Sequence, residues 1–236
     1  MALPKLKQPT HELKIPSTGK LETFRPFVVK EEKILLMAKS SQDPTDIFRS
    51  IKQVVNNCAI DNNFDVDKLT IFDLEYLFLR IRGFSVNNIV EVSYRDNEDQ
   101  KIYNFNIDLN KIEVKFADNV NKTIKLTKET GMTMKYPSAS IFDDKEYFKS
   151  GEDSFYELIV RCVDKIFDGD DIYDPNDYTK EEVEEFLEQV NVNTFQEIVK
   201  FMETTPKLYH KIVYKNSNGN ERVIELTTLT DFFTLG

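Results

Sequence analysis

The sequence lacks long apolar runs. Its wholly apolar stretches are short, such as Ile34–Ala38, where about 20 residues are needed to cross a bilayer. The opening Met1-Ala2-Leu3-Pro4-Lys5 has no apolar stretch of the signal-peptide kind, so no membrane or export step is expected. Histidine and cysteine number two each. They build a closed four-ligand zinc site only if all four converge. Glycine numbers seven, and neither GxxxxGK[ST] nor GxGxxG occurs, so no phosphate cradle is expected. An excess of bases is also missing. Lys and Arg total 31 against 41 Asp and Glu, for a net charge of −10. That balance disfavours generic nucleic-acid binding. What the chain does have is 40% hydrophobic and 12% aromatic residues, too many for disorder. Its 236 residues suffice for one large domain or two small ones with a sizeable core.

The negative charge is concentrated. Asp143–Glu188 holds 17 acidic and 5 basic residues, a balance of −12 in 46 positions. The flanks are close to neutral, with 21 bases against 19 acids over 1–142 and five of each over 189–236. The densest part is Asp168, Asp170, Asp171, Asp174 and Asp177. Like charges this close repel and resist burial. A solvated loop running into a charged helix face accounts for them, and so does a docking surface for a basic partner. These five acids are the candidate partner-binding residues, together with Phe232 and Phe233 near the end of the chain.

Residues 1–9 read as an extended arm. Alternation about Ser17-Thr18-Gly19-Lys20 predicts a hairpin over 11–27, with Pro16 and Pro26 at strand ends. Helices are predicted over 30–40, from Asp43-Pro44 to Cys58, and over 70–82. The second has Asp43 as its cap, and the third has the stripe Leu74, Leu77, Phe78 and Ile81 and ends at Gly83. The period then becomes two over 89–94, 102–107, 112–116, 123–126 and 131–137, which reads as an antiparallel meander. Ser154–Phe167 reads as a helix capped by Asp153 or Ser154. Thr179 with Glu182 makes a capping box. Asn193 or Thr194 starts a last helix that stops near Pro206. A hairpin over 207–226 turns at Asn218-Gly219, and a final turn covers 230–233. Strands and helices are segregated without βαβ repeats, so the expected class is α+β, with antiparallel hairpins and a meander. The composition places an arm, hairpin, helices and meander in 1–142. An acidic helical segment with the last hairpin fills 143–236, as a second domain or as one continuous domain with the first.

Chemical signatures are weak. Asp61-x-Asn63-x-Asp65 begins like a calcium loop, but Val66 stands where glycine is needed and Phe72 where a bidentate glutamate is needed. Cys58 and Cys162 each fall on the apolar stripe of a predicted helix and read as small buried hydrophobes. His11 and His210 have no evident catalytic partner. No catalytic, cofactor or metal residue is therefore assigned, and no small-molecule substrate is expected.

Two stretches resemble a known family. They are Leu3-Pro4-Lys5-Leu6 with Phe24-Arg25-Pro26-Phe27 through Ala38, and Phe201, Pro206, Leu208, His210, Ile212, Tyr214, Leu226, Leu229, Phe232 and Phe233. They resemble the baseplate proteins of T-even-type contractile-tailed bacteriophages. The resemblance implies a non-enzymatic structural or assembly protein at the baseplate hub. Its partners would be other baseplate and hub proteins, and its places the host cytoplasm during assembly and the virion tail. Two rivals from other classes stand beside it. One is a tail-associated wall-degrading hydrolase, which would need two carboxylates at a set separation in a cleft. The other is an acidic host-directed inhibitor of a nucleic-acid-binding protein.

Overall fold

The computed structural model describes residues 6–41, 44–144, 147 and 154–232. In chain order the strands and helices begin with β1 (His11–Lys14), β2 (Leu21–Phe24), α1 (Val29–Ser40), α2 (Pro44–Cys58) and α3 (Ile71–Ser85). Strands follow as β3 (Ile89–Arg95), β4 (Ile102–Asp108), β5 (Glu113–Lys115), β6 (Thr123–Lys125) and β7 (Thr130–Met134). Then come α4 (Ser154–Arg161), β8 (Val163–Asp168), β9 (Asp171–Tyr173), α5 (Lys180–Glu188) and α6 (Val192–Glu203). The chain closes with β10 (Lys207–Lys215) and β11 (Glu221–Leu226). The class is α+β with small antiparallel sheets, as expected. The chain forms two compact units, Met1–Lys115 with Lys207–Gly236, and Phe116–Pro206.

In the first unit, β1 and β2 pair as the predicted hairpin, with His11 opposite Phe24. Asp73 ties its turn to α3. The carboxylate accepts from the backbone N–H and hydroxyl of Ser17 (2.9 and 2.6 Å). It also accepts from the Thr70 N–H (3.2 Å) while the Asp73 N–H donates to the Thr70 hydroxyl (3.2 Å), a capping box at the start of α3. The stripe Leu74, Leu77, Phe78 and Ile81 is buried as predicted, and α2 packs against both α1 and α3. Gly83 does not end α3, which runs on to Ser85. Gly83 is buried beside Leu109, and the Ser85 hydroxyl bonds back to the Ile81 carbonyl at 2.5 Å, so the helical turn continues past it. The Asp43 cap of α2 lies outside the described residues, as does the Asp153 cap of α4.

A partly buried ion pair follows the first hairpin. Arg25 donates to Glu31 Oε1 (2.9 Å) and to the Asn57 carbonyl (2.8 Å). Glu31 is fully buried and also accepts from the Val28 N–H (3.0 Å). The strands read as one meander separate into three sheets. β3 pairs with β4, β5 pairs with β10 of the last hairpin, and β6 and β7 join β8 and β9. Alternation locates strands, but it does not fix which distant strand will pair.

The second unit holds the four-stranded sheet β6-β7-β8-β9 with α4, α5 and α6. Its core includes Ile124, Met132, Ile159, Cys162, Val183, Leu187, Ile198 and Phe201. The predicted helix over 154–167 stops at Arg161, and Val163–Asp168 is strand β8 instead. Val163 and Ile166 extend the helical stripe of α4 on paper. In the fold the segment pairs on both sides, with β7 and β9. Gly131 is required in β7 because its neighbours crowd it. A Cβ there would lie 2.6 Å from the Ile124 carbonyl oxygen and closer still to the Phe167 ring. The Thr179–Glu182 capping box opens α5 as predicted. The last helix starts earlier than expected, with Asn191 as its cap, accepting from the Thr194 N–H at 3.0 Å.

Candidate functional site

Asp168, Asp170, Asp171, Asp174 and Asp177 all fall in the second unit. They lie on and just after the β8–β9 hairpin, not in a featureless loop. Asp168 and Asp171 face each other across a two-residue turn, Gly169-Asp170. Gly169 has φ of +58° at the first central position, where a type II′ hairpin needs it. Asp174 caps a short 3-10 turn through the Asn176 N–H (3.0 Å) and forms an ion pair with Lys165. The hydrogen bond from Lys165 pulls the Asp174 carboxyl down to about 2. Asp168 accepts from the Thr130 hydroxyl at 2.6 Å. Among the described residues, Asp168, Asp170 and Asp171 have no cationic partner, and all three are exposed. Phe232 is placed differently. It is buried in the first unit, 1% exposed, and is not presented on that unit's surface. Phe233 lies outside the described residues.

Beside the hairpin is a cavity of about 420 Å³ that the sequence did not signal. Its lining comes from four elements and the loop before α5. Ile166, Val183 and Phe186 supply apolar surface, Tyr173 and Tyr178 supply aromatic walls, and Asp168 and Glu182 supply carboxylates. The two tyrosine rings are 6.4 Å apart and inclined at 59°. β9 is the last strand of its sheet. Its Ile172 is 72% exposed, so an apolar side chain and a strand edge unpaired among the described residues stand next to the acids.

The first unit carries another acidic turn, between β3 and β4, that the sequence did not single out. Asp96 is fully buried. It accepts from the Tyr214 hydroxyl (2.5 Å) and the Glu98 N–H (2.7 Å), with Arg222 Nε at 3.3 Å. Asp99 accepts from the Tyr103 hydroxyl (2.7 Å) and from the N–H and hydroxyl of Ser217 (3.0 and 2.8 Å). Glu98 takes Asn216 at 2.9 Å. The turn is thus fastened to the Asn216–Asn220 turn of the last hairpin. The hydrogen bond from Tyr214 holds the Asp96 carboxyl below its usual range. Burial alone would raise Asp99, but donors from Tyr103, Lys101 and Ser217 bring it well below.

The other residues weighed from the sequence sit in ordinary local contacts. Asp61 accepts from the Asn63 N–H (2.9 Å) and Asp65 from the Asp67 N–H (3.1 Å), so the calcium-like string caps local turns. Cys58 and Cys162 are fully buried, and burial pushes both thiols up to about 12. His11 stacks on Phe84 with ring centres 4.1 Å apart. His210 sits on β10, where burial and then nearby Lys111 lower its imidazole. A mainly apolar cavity of about 310 Å³ in the first unit is lined by Phe27, Leu35, Ala38, Ile47, Ile51 and Leu229 among others. No helix among the described residues is long and apolar enough to cross a membrane.

A family model described as T4 bacteriophage base plate protein matches residues 8–234, nearly the whole chain. No curated protein and no solved structure matches it.

Proposed function

The chain belongs to the T4 bacteriophage base plate protein family, and from that premise we propose that it acts at the baseplate hub as a structural or assembly protein, without enzymatic activity, through contacts with other baseplate proteins. The observation that carries the reading is the family match over residues 8–234. The geometry of the second unit is compatible with such contacts. On the second unit an edge strand, an aromatic cavity and carboxylates with no cationic partner among the described residues lie together. Such an edge can accept a further strand through main-chain hydrogen bonds. The charge would raise encounter rate and specificity more than affinity. Assembly would take place in the host cytoplasm.

Disrupting the gene tests the reading. Tail assembly should stop before complete baseplates form, and complete tails forming normally would overturn it. Mass spectrometry of purified virions then separates the two roles. A hub subunit remains in the particle, and a transient assembly factor does not.

A further inference from the structure

We propose that the cavity beside β9 is a receptor for a lysine or arginine side chain, presented by an extended segment of another baseplate protein that pairs with the β9 edge. This deepens the docking role proposed above and rests on it. The cavity has the parts such a side chain needs. Ile166, Val183 and Phe186 form an apolar floor for an aliphatic stem. Tyr173 and Tyr178 offer aromatic faces, and a cation near such a face is attracted to the ring. Asp168 and Glu182 line the same space.

Each of these carboxylates already accepts one hydrogen bond. Asp168 Oδ1 takes the Thr130 hydroxyl at 2.6 Å, and Glu182 Oε2 takes the Thr179 N–H at 2.8 Å. Those contacts hold the groups in place and leave each with further acceptor capacity. Neither has a cationic partner among the described residues. Two lysines flanking the space are committed elsewhere, Lys165 to Asp174, and Lys180 to Glu157 and Glu184. The site therefore carries unneutralised negative charge beside an apolar, aromatic space. That favours an amphipathic cation over a wholly apolar group or an anion.

The free edge fixes how the side chain arrives. Among the described residues β9 pairs on one side only, with β8. Side chains on an added strand would alternate in direction, so one lysine or arginine would point into the cavity and its neighbours away from it. At about 420 Å³ the space falls in the usual range of ligand pockets, with room for one long side chain and part of a neighbour.

Titration of the full-length chain with a blocked octapeptide of alternating lysine and valine, followed by amide chemical shifts, tests the proposal. Two comparison peptides replace lysine by norleucine or by glutamate. Saturable shifts centred on β9, Tyr178 and Phe186 are expected, with the norleucine and glutamate peptides binding at least about tenfold more weakly. Tyr178→Ala should weaken the lysine peptide about tenfold, in line with a desolvated cation–aromatic contact. Tyr178→Phe should retain binding, which separates loss of the ring from loss of the fold. Equal binding of the norleucine peptide would overturn the proposal in favour of a plain apolar groove. Shifts spread over the acids without Tyr178 and Phe186 would overturn it in favour of diffuse attraction. Self-association that protects β9 without peptide would overturn it in favour of a second copy. These outcomes do not depend on tail assembly, so the receptor and the hub role can fail separately.

Discussion

The β3–β4 turn and the β8–β9 turn have similar acids and opposite surroundings. Asp96, Glu98 and Asp99 in the first are met by Tyr214, Arg222, Tyr103, Asn216 and Ser217. Asp168, Asp170 and Asp171 in the second are exposed and have no cation to pair with among the described residues. The first set fastens one hairpin to another. The second keeps its charge available at a sheet edge. A run of acids in a sequence is therefore not evidence of docking by itself. What separates the two turns is how many donors and cations the fold supplies for the carboxylates.

The contrast is most exposed to failure where an acid of the first unit loses its partner. Arg25→Ala leaves Glu31 buried beside its lost cation, and stability should fall by about 3–5 kcal/mol. Chemical unfolding measures it, and a loss near zero would show that the engaged acids contribute little.

Glu75, also in the first unit, shifts the other way, because burial raises its carboxyl to about 7 from 4.5. Below pH 4.5 it is protonated folded and unfolded alike. Between 4.5 and 7 only the unfolded chain ionises appreciably, so stability falls as pH rises, and above 7 the penalty is constant. Glu75→Gln should therefore stabilise the protein by about 3 kcal/mol above pH 7 and change little below pH 4. Unfolding at both pH values checks the sign.

Asp96 and Asp99 have the opposite sign. Their carboxyls are depressed below the ordinary 3.8. The stability they contribute is present above that value and is lost as pH falls through the folded values. Asp96→Asn should flatten this acid limb and lower the thermal midpoint at neutral pH. The smallest effect is expected at the other turn. Asp170→Asn with Asp171→Asn should leave stability within the roughly 0.5 kcal/mol usual for surface substitutions.

Local signals were legible in the sequence. The Thr179–Glu182 box, the hairpin at Asn218-Gly219 and the α3 stripe each depend on residues a few positions apart. Non-local outcomes were not. Val163 and Ile166 suit a helix stripe or a strand, and only pairing with β7 and β9 decides. β5 finds its partner in β10, far along the chain. Asn191 and Asn193 are both plausible caps, and packing of Thr194 and Ile198 into the core selects the earlier start. The acids of the candidate site stood out as charge. The cavity did not, because its lining is drawn from β7, β8, β9 and α5. Phe232 near the end of the chain was equally opaque, since nothing local marks it as buried.

The most direct test is a phage carrying Asp168→Asn, Asp170→Asn and Asp171→Asn, with complete tails counted by electron microscopy and the level of this protein measured alongside. Glu113→Gln, at an exposed acid of the first unit, serves as the control. Fewer complete tails at an unchanged protein level, with the control unaffected, is the predicted result. Undiminished tails in the triple variant would contradict the acidic edge as the docking surface.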